Sequence, residues 1–468
     1  MIRIIMIQLF SDRERELQFL DRHYDTGNAE LVVLYGRRRV GKTELCLQFS
    51  SNKPRIYFLA DRRPEPMLLQ ELKREMGFFI GDESFVKLAL NDWTELFYEF
   101  IKWNKTRRPV VIIDEFPMLI ESNSAVPSMF QKIWDQNLKD TDIMLILLGS
   151  SIAMMETEVL NYRSPLYGRR TAQWKVESLQ LPHLKPFFPK YDVETLVNVY
   201  SCVGGIPAYL QKLDPEQSFL ENVDQKILAK GEFLYEEADF LLREELREPR
   251  NYSAILQAIA QGAQSYGDII NRTNMDKSII SRYTSILEDL GFTKRVYPIG
   301  AKPKPRKGQY VVSDNYLNFW FRYVFPNKSE LESGDTSHTL NRIREDYPNY
   351  VGHVFEQTVL ELLKEMLHRQ LLTFSFTEIG RWWFKDTEID LIALDEVERA
   401  ATFIEIKWSN VGEQDSHRIL NSLKAKTPEF LWDRKKEYYG VIAKKIEKKQ
   451  VLRDEGYIAL DLEDFEPL

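Results

Sequence analysis

Apolar positions along the chain fall into three patterns. Short unbroken runs at 31–35, 110–113 and inside "DIMLILLGSS" (142–151) predict strands buried on both faces. Between 181 and 248 the apolar residues recur three and four apart, as in "VETLVNVYSCVGG", which predicts a layer of helices. Pro249 marks a break after them. From 251 to 325 come three short helical patterns, "YSAILQAIAQG", "SYGDIINRT" and "DKSIISRYTSILEDLG", then "FTKRVYPIG" and "QYVVSD" as two strands joined by "AKPKPRKG". The third helix is expected to bury Ile279, Ile280, Tyr283, Ile286, Leu287 and Leu290. Residues 326–350 are polar and turn-rich, and predict a connector with room for a short helix. An amphipathic helix follows at 351–367, then apolar strands at 389–394 and 401–408.

The two last strands carry charge. Asp390 lies in the first, Glu405 and Lys407 in the second, and residues two apart share a face. Reflecting the chain about the "DEVER" turn, centred near Val397, sets Asp390 opposite Glu405, with Cβ atoms about 5 Å apart in an antiparallel pair. Two carboxylates so close need a cation or a proton between them. Lys407 is one pleat further on, where an ammonium can orient a water or stabilise a phosphorane. A structural ion pair at a sheet edge is the plainer reading.

Composition narrows the classes. A chain of 468 residues calls for about three domains. With 44% hydrophobic and 29% charged residues it is globular, and no apolar run approaches the ~20 residues of a membrane span. The first residues show no signal-peptide pattern, and only Cys46 and Cys202 are present, which suits a reducing cytoplasm. The six histidines have no metal-ligand spacing, which argues against a structural zinc site. The net charge is −8, yet residues 271–310 alone carry +6, which leaves −14 for the rest. That local basic stretch marks the third helix and the joining loop as a candidate nucleic-acid surface. Lys277, Ser278, Ser281, Arg282 and Ser285 would face bases or phosphates, and Lys302, Lys304, Arg306 and Lys307 the backbone. A packing or regulatory module is the alternative.

The first third carries nucleotide chemistry. A strand leads into Gly36-x-x-x-x-Gly41-Lys42-Thr43 and then a helix. Such a loop turns backbone N–H groups toward phosphate, Lys42 reaches the β and γ phosphates, and the Thr43 hydroxyl is a Mg²⁺ ligand. "VVIIDE" ends in Asp114, placed to hold the Mg²⁺ shell, and Glu115, placed to polarise the attacking water. Ser150 or Ser151 ends the third strand, where a polar group can sense the γ-phosphate or simply make a turn. Arg163, Arg169 and Arg170 are candidates for a charge-neutralising arginine, or solvated loop charges.

"FSDRERELQFL", "YGRRRVGKT", "IIDEFPML", "SPLYGRRT" and "VGGIPAYL" together resemble the archaeal ATPase family, a branch of the P-loop ATPases close to AAA+ and to the signal-transduction ATPases with numerous domains. The resemblance covers most of the chain. It implies that Arg13 and Glu14 lie by the base and ribose and that Gly205 and Pro207 touch adenine. It favours Arg169 and Arg170 among the arginines. A helix-to-helix turn accounts for the 204–207 segment equally well.

The final strands resemble the D…ExK arrangement of the PD-(D/E)XK nuclease superfamily, with Glu356 matching its acidic helix residue; "EID" stands in place of Pro-Asp. That resemblance implies metal held by Asp390 and Glu405, and cleavage carried by Glu356, Asp390, Glu405 and Lys407. A nuclease-like fold used only for binding stays open.

The expected fold class is α/β multidomain. It comprises a P-loop NTPase parallel sheet (1–180), a helical lid (181–250), a winged helix-turn-helix (251–325), a connector (326–350) and a restriction-endonuclease-like α/β domain (351–468). The expected activity is an ATP-binding and hydrolysing switch, with ATP or ADP and Mg²⁺ as cofactors, coupled to a metal-dependent DNA nuclease. Nucleic acid, DNA above all, is the expected partner, with no membrane. Self-association into a homo-oligomer is left open. The alternatives are a regulatory ATPase with a silent C-terminal domain and an ATPase that remodels proteins.

Overall fold

The computed structural model describes residues 10, 12–246, 248–301 and 308–466. The chain divides into two compact units, Met1–Ser178 with Ile206–Ala208, and Leu179–Gly205 with Tyr209–Leu468. No helix among the described residues is long and apolar enough to cross a membrane.

The first unit is built on five parallel strands: β1 (Glu30–Tyr35), β2 (Arg55–Leu59), β3 (Val110–Asp114), β4 (Met144–Gly149) and β5 (Ala172–Lys175). Their order across the sheet is β2-β3-β4-β1-β5. Parallel neighbours need crossovers, and the helices that supply them cover both faces. That is why β1, β3 and β4 are buried at every position and read as unbroken apolar runs. Alternate residues feed separate cores. Leu31, Val33, Val111, Ile113, Leu145 and Leu147 pack with Phe97 and Phe116. Val32, Leu34, Val110, Ile112, Ile146 and Leu148 pack with Leu20 and Leu45 on the other side. The edge strand β2 has only one neighbour and alternates between buried and open positions.

The second unit begins with helices, among them Val193–Val203 and Phe233–Glu245. Three helices follow, Pro249–Ala260, Tyr266–Thr273 and Lys277–Asp289, and then the antiparallel ribbon of β6 (Thr293–Val296) and β7 (Gln309–Val312). The third helix departs from the expected inner face. Ile280, Thr284 and Leu287 are buried at four- and three-residue spacing, whereas Ile279 is 37% exposed. Thr284 tolerates burial because its hydroxyl donates to the Ile280 carbonyl at 2.8 Å. Lys277, Ser278, Ser281, Arg282 and Ser285 are all exposed. Lys302, Lys304, Arg306 and Lys307 lie outside the described residues.

The expected connector at 326–350 is largely helix. One helix runs from Ser337 to His368, through Pro348, so the expected boundary between 350 and 351 falls inside it. Ile343, Tyr347, Tyr350 and Val354 form its buried stripe. After it come β8 (Glu378–Phe384), β9 (Thr387–Asp395), β10 (Ala400–Val411), β11 (Lys436–Ile446) and β12 (Ile458–Leu460), in the order β12-β11-β10-β9-β8. β8, β9 and β10 form an antiparallel meander, and β10, β11 and β12 are parallel. The helix Glu413–Lys426 makes the crossover from β10 to β11. The β9–β10 ladder pairs Ala400 with Asp395 through Ile404 with Leu391, the alignment that reflection about Val397 requires.

Candidate functional sites

The C-terminal ends of β1, β3 and β4 converge on one constellation in the first unit. Gly36 leaves β1 with φ 154°, and a Cβ there would lie 2.3 Å from the Val176 carbonyl oxygen, so the backbone path excludes a side chain. Gly41, at φ 92°, caps the helix Lys42–Phe49 in the left-handed region. Lys42 is buried, and its Nζ donates to the Gly36 and Arg37 carbonyls, both at 2.9 Å. Burial pushes its pKa down to about 8, partly opposed by Glu115 and Asp114.

The Thr43 hydroxyl donates to Asp114 Oδ2 at 2.6 Å, and the Tyr57 hydroxyl donates to the same oxygen at 2.9 Å. Beside them Glu115 sits at φ 53°, a left-handed conformation that costs a non-glycine residue about 1–2 kcal/mol. Its carboxylate accepts the Ser150 hydroxyl and, at 3.4 Å, the Ser150 N–H. A hydroxyl and a carboxylate 2.6 Å apart are hard oxygen donors of the kind that suit Mg²⁺, which keeps most of its water shell.

The flanking residues are placed as follows. Arg13 is buried at φ 85°. Its guanidinium donates to Glu16 at 2.8 Å and to the carbonyls of Val40 (2.9 Å) and Glu177 (2.7 Å), so it clamps the glycine loop to the segment after β5. Glu14 is exposed in the first turn of the helix Glu14–Tyr24. Arg169 pairs with Asp135 at 3.1 Å, Arg170 lies over the Tyr167 ring, and Arg163 donates to the Tyr162 hydroxyl. Ser151 precedes the short helix Ile152–Met154. Pro207, at the start of the helix Pro207–Leu210, groups with the first unit. Gly205 belongs to the second, where its carbonyl accepts the Leu179 N–H at 2.8 Å. Tyr57 was not foreseen; it lies on β2, the strand no motif marks.

In the second unit, Asp390 Oδ2 accepts the Ile406 N–H at 2.8 Å, one step beyond the β9–β10 ladder. Lys407 Nζ lies 2.9 Å from Glu405 Oε1 and 3.6 Å from Asp390 Oδ2, so the ammonium stands between the two carboxylates. Lys426, from the crossover helix, reaches Glu405 Oε2 at 3.3 Å. Glu356 faces Arg381 at 3.3 Å, and Arg381 also pairs with Glu388. Burial pushes Glu356 up to about 7 despite Arg381. Burial, then Glu405, raises Asp390 as well, while Lys407 and the Ile406 N–H pull the other way. Burial opposes the charge on Lys407, but Asp390 and Glu405 outweigh it and raise its pKa. No group of three or more His, Cys, Asp or Glu among the described residues is disposed to hold a metal. Asp390 and Glu405 are therefore two donors, enough for an ion that keeps several waters. Arg381 and Lys426 escaped sequence reasoning because they come from other elements, with no spacing that ties them to Glu405.

A parallel sheet in this order, with a strand–glycine loop–helix at β1 and carboxylates at the end of β3, defines a P-loop ATPase domain. Residues 10–213 match the family described as an ATPase domain predominantly from Archaea, and residues 320–419 match a family of archaeal and bacterial proteins of unknown function. An uncharacterized protein of Methanocaldococcus jannaschii is 41% identical over 457 residues, 98% of this chain and 100% of its own. The chain belongs to the same family as that protein, and its N-terminal part is the archaeal ATPase domain. A second M. jannaschii protein, described as an uncharacterized ATP-binding protein, is 51% identical over 47 residues, 10% of this chain and 80% of its own. The Walker-type ATPase of Pyrococcus abyssi shares the fold, with a TM-score of 0.50 and 21% identity over 67% of this chain and 96% of that one.

Proposed function

We propose that the chain is an ATP-hydrolysing switch that acts on DNA. The observation that carries the first half is the meeting of Thr43 with Asp114 and of Ser150 with Glu115 at the ends of β1, β3 and β4. In this reading Lys42 exchanges its loop carbonyls for β and γ phosphate oxygens. Thr43 and Asp114 hold Mg²⁺, which when bound neutralises phosphate charge. Glu115 leaves Ser150 to polarise the attacking water, and Ser150 reports whether γ-phosphate is present. Arg13 and Glu14 border the base and ribose, with Gly205 and Pro207 near adenine and Arg169 or Arg170 neutralising charge on the phosphoryl group. The ATP-binding description of the short M. jannaschii relative accords with this. Glu115→Gln should lower hydrolysis by about 10²–10⁴ while nucleotide still binds, and Lys42→Ala should lose both; wild-type turnover in Glu115→Gln would refute the role of Glu115.

For the second half, the antiparallel meander with a helix crossover and the Asp390–Glu405–Lys407 cluster support a PD-(D/E)XK-type phosphodiester site. Asp390 and Glu405 would hold the metal, Lys407 would steady the attacking water, and Glu356 completes the acidic wall. The three-helix and ribbon module, with its exposed Lys277 and Arg282, would present DNA as a winged helix. One observation favours a silent, binding-only domain: both Glu405 oxygens already face lysines. Cleavage of linear, circular and single-stranded DNA with Mg²⁺ or Mn²⁺, with and without ATP, decides between them. Wild type should cut and Glu405→Ala should not; no cleavage of any substrate leaves the binding-only reading.

A further inference from the structure

We infer that the second unit contains a further site for a nucleoside monophosphate, in a cavity of about 290 Å³ between its helices and the β6–β7 ribbon, with Arg381 shared between it and the Glu356 pair. Two helical faces form it. Asn315, Asn318 and Arg322 are three and four apart on one, and Tyr350, His353 and Gln357 three and four apart on the other, so each set is a single stripe. Gln264 with Val311 and Val312 closes a third side, and Arg381 of β8 a fourth.

The lining fits an anion with a polar ring. It includes two arginines and a histidine and no Asp or Glu, in a chain of net charge −8. Arg322 is fixed from behind by Asp346 at 2.7 Å, and Arg381 meets Glu356 and Glu388 through Nη2. Arg381 Nε, however, is buried with no hydrogen-bond partner. An orphaned buried donor costs about 1–3 kcal/mol, which a phosphate oxygen would recover. The side chains of Gln264, Asn318 and Gln357 make no hydrogen bond among the described residues, and each amide can both donate and accept, as the edge of a nucleobase requires. The volume lies just below the range of ligand pockets, about 300–1,000 Å³, which leaves room for one nucleotide and not two. The inference does not depend on either catalytic reading above.

Titration calorimetry on the full chain tests it, with Lys42→Ala in place to disable the glycine loop. The probes are the four common nucleoside monophosphates, inorganic phosphate and adenosine. At least one monophosphate should bind with one-to-one stoichiometry, more tightly than phosphate or adenosine. Gln357→Leu and His353→Glu should each weaken it about tenfold or more; His353 is exposed, so its replacement spares the fold. No saturable binding, binding untouched by both substitutions, or phosphate binding as tightly as every nucleotide would each overturn the assignment.

Discussion

Gly205→Ala separates two reasons for a glycine after the helix Val193–Val203. Resemblance to archaeal ATPases makes Gly205 a neighbour of adenine, whereas the fold makes it a neighbour of Leu179. A Cβ at Gly205 would lie 1.7 Å from the Leu179 carbonyl oxygen, 2.6 Å from its carbon and 3.0 Å from its nitrogen. Real Cβ contacts stay beyond 3.0 Å, so the two backbones must part by at least 1.3 Å, the difference between 3.0 and 1.7. The obstacle is main chain, which cannot swing aside as a side-chain tip does. The parting also breaks the 2.8 Å bond from the Leu179 N–H to the Gly205 carbonyl. Overpacking of this kind costs about 1–3 kcal/mol and the lost bond about 1 more, so a total near 3 kcal/mol is expected. The φ of Gly205 lies outside the left-handed range, unlike Gly204 at +66°, so the penalty is steric. The assay is thermal denaturation without nucleotide, with amide exchange read at Leu179. A fall of about 6 °C in the transition of the second unit, with faster exchange at Leu179, is expected. An unchanged transition combined with a raised KM for ATP would refute the packing argument and leave adenine contact as the reason for the glycine.

Tyr57→Phe removes one of two hydroxyls on Asp114 Oδ2 and leaves the ring in place. A hydrogen bond worth about 0.5–1.5 kcal/mol predicts a two- to tenfold change in the Mg²⁺ concentration that half-saturates hydrolysis, and no change would show that Tyr57 does not tune the carboxylate. Glu356 is raised from 4.5 to about 7, so the folded state holds its proton where the unfolded chain has lost it. Its contribution is therefore fully present below pH 4.5 and is lost as pH rises through 7. Relative to wild type, Glu356→Gln should gain stability in urea unfolding between pH 5 and 8, with the difference levelling off above; a difference independent of pH would refute the shift.

Sequence patterns resolved the elements whose burial is uniform or whose partners are close in the chain. β1, β3 and β4 read as unbroken apolar runs because helices cover both faces of the sheet. The β9–β10 register followed from a short turn, since symmetry about Val397 fixes every pair. The helix Ser337–His368 was hidden because its buried stripe begins among polar residues and passes through Pro348. Thr284 took the place given to Ile279, because a threonine that bonds its own helix can be buried without loss. At the two candidate sites the motif residues were legible, but Tyr57, Arg381 and Lys426 were not. Each arrives from a separate element, and only the folded chain sets it beside its partner.

The helix Ser337–His368 links two parts of the second unit. Tyr350, on its path, donates to the Ser201 carbonyl of the helix Val193–Val203 at 2.9 Å. Glu356 follows six residues on, about 9 Å along the same rod at 1.5 Å per residue. One stretch of helix therefore carries both the contact to the Ser201 carbonyl and the Glu356–Arg381 pair.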